Sequence, residues 1–500
     1  MRRSTLPVLV SLLFVICSAR GVLADGPTAT PTSLPIAGTW EGVLDAGPTK
    51  LRIGVAIKQD PAGALTATMD SIDQGAKGIP IDAVSFKDGA LDFTIAAVGG
   101  SYHGTASPDG KTIAGHWTQG VAMALDFARV ESATKLSRPQ EPKPPLPYTA
   151  EEVAWSYDPT AGVEPSFQAN ATREVASRIS LAGTLTLPLA AGPHPAVILI
   201  TGSGPEDRDE TIFGHKPFLV IADHLTRHGI AVLRFDDRGV GGSTGASKTA
   251  TSEDFADDVR AALRFLKGRN DIDGKRIGLV GHSEGGLIAP MVAASSPDVA
   301  FIVLLAGPGV PGALILAEQG RLISKAMGKP AVDIERDSAM QRRIFDIVTS
   351  GLPEAEMHAK LEFAIGMAYD VLSDPEKKAV GDRAAFVAAQ LAVVVSPWMR
   401  AFLAYDPRPT LAKVKVPVLA MNGGSDLQVP PGQNLPEILA ALEAGGCPDV
   451  TIAKLPRLNH LFQHSDTGSV ADYGSIEETF APIALGTLSD WITARFVAPK

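Results

Sequence analysis

The sequence predicts a small all-β domain followed by a larger α/β domain built on a mostly parallel sheet and carrying a helical insertion. Three observations predict it. Between about residues 36 and 131, short β-rich segments are separated by Gly, Asp and Pro turns. From residue 148 onward, apolar runs alternate with helical patterns, as in a sheet covered on both faces. Finally, an apolar run ending at Val280 passes through Gly281-His282-Ser283-Glu284-Gly285 directly into a helical pattern, Leu287 to Ala294.

Taken in order, the chain opens with Arg2-Arg3, an apolar run from Leu6 to Cys17, and Val22-Leu23-Ala24, whose small residues suit a cleavage site. Residues 1–24 therefore read as a signal peptide, and export to a bacterial periplasm or the medium is expected. The run is short for a membrane span, so no span is expected after its removal. Cys17 follows Val15-Ile16 rather than small residues, which argues against lipid attachment. Loss of a leader with three arginines and no acid takes the formal net charge from −10 to −13. So acidic a protein has no electrostatic reason to bind nucleic acid or an anionic membrane. Only Cys447 would remain, so no internal disulfide is expected; it is not read as a second nucleophile.

Residues 25–135 form the expected all-β domain, with about eight strands and hairpin turns such as Lys87-Asp88-Gly89 and Pro108-Asp109-Gly110, which suits a small antiparallel barrel or sandwich. His103 and His116 read as strand residues, because no further ligands lie at metal-binding spacing. Five prolines between Ser137 and Pro147 make residues 136–147 an extended linker. The α/β domain, 148–500, has strand signals at 152–157, 173–187, 196–201, 230–235, the run before Gly281, 300–305, 416–421 and 450–455. Residues 312–405 interrupt this alternation with about ninety residues of helical periodicity, an insertion expected to form a cap that limits substrate size.

The chemistry centres on Ser283. A serine on a sharp strand-to-helix turn presents its hydroxyl, and the residues two positions either side must be nearly free of side chain, as Gly281 and Gly285 are. Gly241-Gly242-Ser243-Thr244-Gly245 has the same spacing but opens no helix, so Ser243 reads as a turn residue. A serine nucleophile needs a histidine base, and the histidine needs a carboxylate to orient it. Asp426 follows the seventh strand and His460 the eighth, both at carboxyl ends on the elbow's edge of the sheet. His464 stands a turn further on, and Asp406 and Asp449 follow no strand end. Backbone N–H groups of Ser203 and Glu284 are the expected oxyanion donors. No phosphate loop or metal cluster competes, so neither cofactor nor metal is expected.

Gly202 to Asp209, Asp236 to Ser243, Gly281 to Gly285, Ser425-Asp426 and Asn459-His460 together resemble secreted bacterial α/β-hydrolases of the carboxylesterase kind, overlapping the serine aminopeptidase-like group, over about residues 150–500. The resemblance implies an α/β-hydrolase fold and hydrolysis of short acyl esters of small molecules without a cofactor. A serine peptidase would use the same triad and would need groups for a substrate amino terminus; Glu206, Asp207 and Glu284 are its acidic candidates. A non-catalytic envelope binding protein is the reading from another class, and it requires that the triad not assemble.

Overall fold

The computed structural model describes residues 36–45, 50–74, 76–119, 121–134, 137–159 and 178–497. The expected signal peptide lies outside the described residues.

Ten strands make the first sheet: β1 (Gly38–Asp45), β2 (Lys50–Gln59), β3 (Leu65–Ser71), β4 (Ala76–Pro80), β5 (Ala83–Lys87), β6 (Ala90–Ile95), β7 (Gly100–Ala106), β8 (Thr112–Gln119), β9 (Val121–Ala124) and β10 (Phe127–Val130). Their order is β4-β3-β2-β1-β10-β8-β7-β6-β5, with β9 paired to β8. Alternation sets the inner face: along β6, Leu91, Phe93 and Ile95 are buried while Asp92 and Thr94 are exposed. The segment through β4 and β5 closes the ring. Ile81 N–H donates to Ala67 O on one side and Asp82 N–H to Thr94 O on the other, so consecutive residues pair with opposite edges and a barrel results. Its core includes Trp40, Phe93, Tyr102 and Phe127, with Phe93 stacked on Tyr102 at 4.9 Å.

Two local expectations are corrected here. The stretch 123–130 is not one strand but β9 and β10, because Asp126 turns its carboxylate onto the Gly115 N–H (2.9 Å) and breaks the ladder. Strand β4, Ala-Lys-Gly-Ile-Pro, was not expected, since its composition has little β propensity and only the barrel's closure holds it extended.

The linker is docked. The Arg138 guanidinium donates to the main-chain oxygens of Phe213, Gly214, Gly474 and Ile476, and the Gln140 side chain bonds the backbone at Thr479 and Phe480.

The second sheet comprises β11 (Tyr148–Tyr157), β12 (Ile179–Pro188), β13 (His194–Ile200), β14 (Ala231–Phe235), β15 (Ile272–His282), β16 (Phe301–Leu305), β17 (Val418–Gly423) and β18 (Val450–Leu455). Its order is β11-β12-β14-β13-β15-β16-β17-β18. The first three are antiparallel neighbours and the rest are parallel. Strands β13, β14, β16 and β17 are buried throughout because helices cover both faces. On one face lie α2 (Ser252–Lys267), α3 (Gly285–Ala293) and α11 (Pro431–Ala444); on the other, α1 (Pro217–Arg227) and α12 (Pro482–Phe496). Helix α2 starts at a Thr251/Asp254 capping box and turns Ala256, Val259, Leu263 and Leu266 inward, a helical repeat of core residues.

Between β16 and β17 the chain forms the short α10 (Arg408–Leu411) and, before it, six helices, α4 (Gly312–Ala326), α5 (Ala331–Thr349), α6 (Glu354–Asp370), α7 (Asp374–Val380), α8 (Arg383–Val394) and α9 (Pro397–Ala404). They share a core of their own around Phe345, Leu361, Ile365, Phe386 and Leu403.

Candidate active site

Strand β15 delivers the chain to the elbow. Ser283 has φ of 51°, a left-handed conformation held because its N–H donates to Leu305 O at 2.8 Å. The flanking glycines answer to sterics: a Cβ on Gly281 would stand 2.0 Å from Gly285 O, and one on Gly285 2.2 Å from Ile200 O. Helix α3 begins at once, so the N–H of Glu284 stands at a helix start, directly after the serine.

Strands β17 and β18 end at the same edge. The loop after β17 carries Asp426, whose Oδ1 accepts from the N–H groups of Gln428 (2.8 Å) and Val429 (2.9 Å). Its Oδ2 faces His460 Nδ1 at 2.8 Å, and both side chains are buried. A carboxylate only accepts, so Nδ1 carries the hydrogen and Nε2 keeps its lone pair. The two loops are also laced by backbone, Gly424 N–H to Leu455 O at 2.6 Å and Ser425 N–H to Leu458 O at 2.9 Å. The His460 ring lies 4.8 Å from the ring of His282, the residue before Ser283. An eight-stranded sheet in this order, with a serine elbow after its fifth strand and an Asp–His pair after its seventh and eighth, settles the architecture. This half of the chain is an α/β-hydrolase fold.

Residues 217–352 of this hydrolase domain match the family model described as serine aminopeptidase, S33. Esterase EstD of Thermotoga maritima is 35% identical over 139 residues, 28% of this chain and 33% of that protein. The chain thus spans about a third of the length of that relative. A 31.7 kDa protein of the traX-finO intergenic region of Escherichia coli is 26% identical over 257 residues, 51% of this chain and 80% of its own. Among solved structures, the Pyrococcus furiosus esterase Pf2001 covers 65% of this chain and 90% of its own at 16% identity and a TM-score of 0.36. At that score the strand order, not the superposition, carries the fold.

The other sequence candidates lie elsewhere. Ser243 is buried, donating to Asp236 O (2.7 Å) and accepting from Ala182 N–H (3.0 Å), as a turn residue does. His464 pairs with Glu478 on the surface. Asp406 is held by Arg408 and Asp449 by Arg495. Burial pushes the Cys447 thiol up, away from the thiolate. His103 reaches Asp92 and lies tilted beside His116 at the surface of the barrel.

The loop after β13 carries Ser203, and next to it Gly202 comes so close that a Cβ there would touch the Cβ of Ser283 at 3.4 Å. Its charged run is a set of fasteners. Arg208 holds Asp236 with two nitrogens, Asp209 pairs with Arg234, and Asp237 accepts from Thr201 Oγ1 (2.8 Å) and Glu206 N–H (3.0 Å). Burial lifts the Asp237 carboxyl to about 8 despite those bonds. Glu206 rises to about 8 as well, from burial and then from the neighbouring charges of Glu210, Asp237 and Asp207.

Three further residues adjoin the site; Glu210 and His282 had no sequence signal, whereas Trp398 is one of the apolar residues of the helical insertion. Glu210 reaches back to Gly202 and His282. His282 occupies a variable position of the elbow motif. Trp398 of α9 donates Nε1–H to the Glu284 carboxylate at 2.8 and 3.0 Å, while Ser252 Oγ reaches it at 2.5 Å. Burial raises Glu284 to about 7 against the lowering effect of those two donors. Of the apolar cap residues, Trp398 meets Glu284 of the elbow, whereas Phe363 and Met367 are exposed at 61% and 39%.

Proposed function

We propose that this protein is a serine hydrolase that cleaves carboxylic esters of small molecules, exported by the leader at residues 1–24. The observation that carries the reading is the buried His460–Asp426 pair, brought to the strand edge where Ser283 stands strained on its elbow. Ser283 Oγ attacks the ester carbonyl while His460 Nε2 takes its proton, and Asp426 holds the ring and stabilises the imidazolium. The oxyanion lies against the backbone N–H groups of Ser203 and Glu284, which make no hydrogen bond within the described residues. His460 then protonates the leaving alkoxide, and a water attacks the acyl-enzyme by the same route in reverse.

A peptidase acting on small peptides or amides is the second reading, favoured by the match to the serine aminopeptidase model. It needs a carboxylate for a substrate ammonium. Both oxygens of Glu284 already have partners and Asp207 caps its own turn at Asp209 and Thr211, which leaves Glu206, whose carboxyl is raised to about 8 and holds its charge poorly at neutral pH. Ester hydrolysis is therefore the better supported chemistry.

Assays of p-nitrophenyl esters beside amino-acid p-nitroanilides, with fluorophosphonate labelling, test this. Ester turnover with labelling at Ser283 is expected. His460→Ala is expected to abolish it and His464→Ala to leave it, and the opposite pattern would move the base. An unlabelled, inert protein would return the domain to a binding role.

A further inference from the structure

We propose that Glu210 and His282 form a positioning clamp that holds the oxyanion loop, the elbow and the catalytic histidine in register; this rests on the ester-hydrolase reading above. Neither residue touches the substrate carbonyl in that mechanism. The residues the clamp grips adjoin the reacting groups: Ser203 follows Gly202, Ser283 follows His282, and His460 is held through its own main-chain oxygen.

The connections run as one chain of hydrogen bonds. Gly202, beside the oxyanion donor Ser203, gives its N–H to Glu210 Oε1 at 2.9 Å. The same oxygen meets His282 Nδ1 at 2.8 Å, and His282 Nε2 meets the main-chain oxygen of His460 at 3.0 Å. A carbonyl oxygen only accepts, so Nε2 carries a hydrogen; an ionised carboxylate likewise only accepts, so beside Glu210 Nδ1 carries one too. With both nitrogens as donors the imidazole is a cation, paired with a carboxylate where both side chains are at most 8% exposed.

An ion pair this deep is an expensive way to join loops, since apolar packing of equal volume commonly holds them as well. What it adds is direction. Two charge-assisted donors and a shared acceptor fix three backbones at hydrogen-bond length, a tolerance apolar contact does not impose.

The electrostatics agree. Burial alone would push His282 down, but the charge of Glu210 and its hydrogen bond, with the His460 carbonyl and the charge of Asp426, lift it to about 9. Glu206 on the oxyanion loop, Glu210, Asp426 and the His460 ring are the titratable groups facing it. As pH rises past about 9, Nδ1 loses its hydrogen and its lone pair faces the Glu210 carboxylate. The clamp then opens from its centre.

The test uses the full chain and p-nitrophenyl acetate, with kcat expressed per site titrated by a fluorophosphonate. Glu210→Gln is expected to lower kcat on the order of a hundredfold, the cost of a misplacement of roughly 1 Å, while KM stays within about threefold. Wild-type kcat is expected to fall as pH passes about 9 with the fold retained by circular dichroism, and Glu210→Gln to lack that limb. A Glu210→Gln protein that melts lower yet keeps wild-type kcat per titrated site would overturn the clamp. So would an undiminished wild-type kcat one unit above that pH, a result that stands even if the variant does not fold. A wild-type protein inert to both ester and fluorophosphonate overturns the hydrolase reading together with the clamp, whereas an active wild type beside an unimpaired Glu210→Gln overturns the clamp alone.

Discussion

Ser283 and Ser243 share a sequence spacing and differ in what surrounds the hydroxyl. Ser243 spends both its donor and its acceptor capacity on backbone, at Asp236 O and Ala182 N–H, and is buried. Ser283 is half-buried, with its backbone strained. Ser283→Ala is expected to lower kcat by roughly four orders of magnitude or more, the usual loss when a triad serine goes. Ser243→Ala is expected to keep most of the turnover and lose about 1–3 kcal/mol of stability, because a buried N–H and a buried carbonyl are left unpaired. Active-site titration and urea melts of the two variants check this; equal kcat losses would contradict it. The elbow and the Asp426–His460 pair were legible from the residues because they follow from local turn sterics and from position at strand ends. Glu210 was not, since its partners lie 8 and 72 residues away and nothing in its own neighbourhood announces them.

At the scale of elements, the cap is tied to the catalytic sheet edge through α9. Trp398 stacks on Phe402 with ring centroids 5.1 Å apart and turns its N–H to Glu284, whose backbone N–H is an expected oxyanion donor. The indole therefore stands against the start of the helix that follows Ser283. Trp398→Ala is expected to raise the ratio of octanoate to acetate hydrolysis about tenfold, the discrimination a few methylenes command in an apolar pocket. It should also weaken the protein, since a buried carboxyl loses its N–H donor. An unchanged ratio in a folded, fluorophosphonate-reactive variant would confine the insertion to a structural role. Helical periodicity made the six-helix insertion legible, but not which of its apolar side chains face the site: Phe363 and Met367 point to solvent, and helices α4–α9 bury a separate set on one another.

Over the whole molecule, the buried ionisable groups predict how stability follows pH. His282 is raised to about 9, so its contribution is complete below the unfolded histidine value and is lost as pH climbs through 9. Glu206 and Asp237 at about 8 and Glu284 at about 7 act in the same direction, because the native state keeps protons the unfolded chain has released. His215 opposes them on the acid side. Burial, then the Arg138 charge, lowers it to about 4, so protonation favours the unfolded chain as pH falls below the ordinary histidine range. Three raised carboxyls outweigh the one lowered histidine, so urea midpoints are expected to fall as pH rises from about 5 to 9. A midpoint at pH 9 equal to that at pH 6 would contradict this balance. Arg138 adds a mechanical link: four main-chain acceptors of the hydrolase domain converge on it, so Arg138→Met is expected to lower the melting temperature by several degrees, measured by calorimetry.

By itself the sequence determined most of the strands and helices, where the sharp turn at Ser283 falls, and which carboxylate and imidazole emerge at the same edge of the sheet. Those features depend on side-chain period and on whether a Cβ fits, interactions that act over a few residues. Tertiary structure alone decided that residues 76–87 close the barrel, that the proline-rich linker docks through Arg138 and Gln140, and that Trp398 lodges on Glu284. It alone placed His282 between Glu210 and the backbone of His460, a juxtaposition spanning 72 residues on one side and 178 on the other. Hydrogen bonds between distant loops require the sheet to bring their ends together first, and neither propensity nor spacing carries that information.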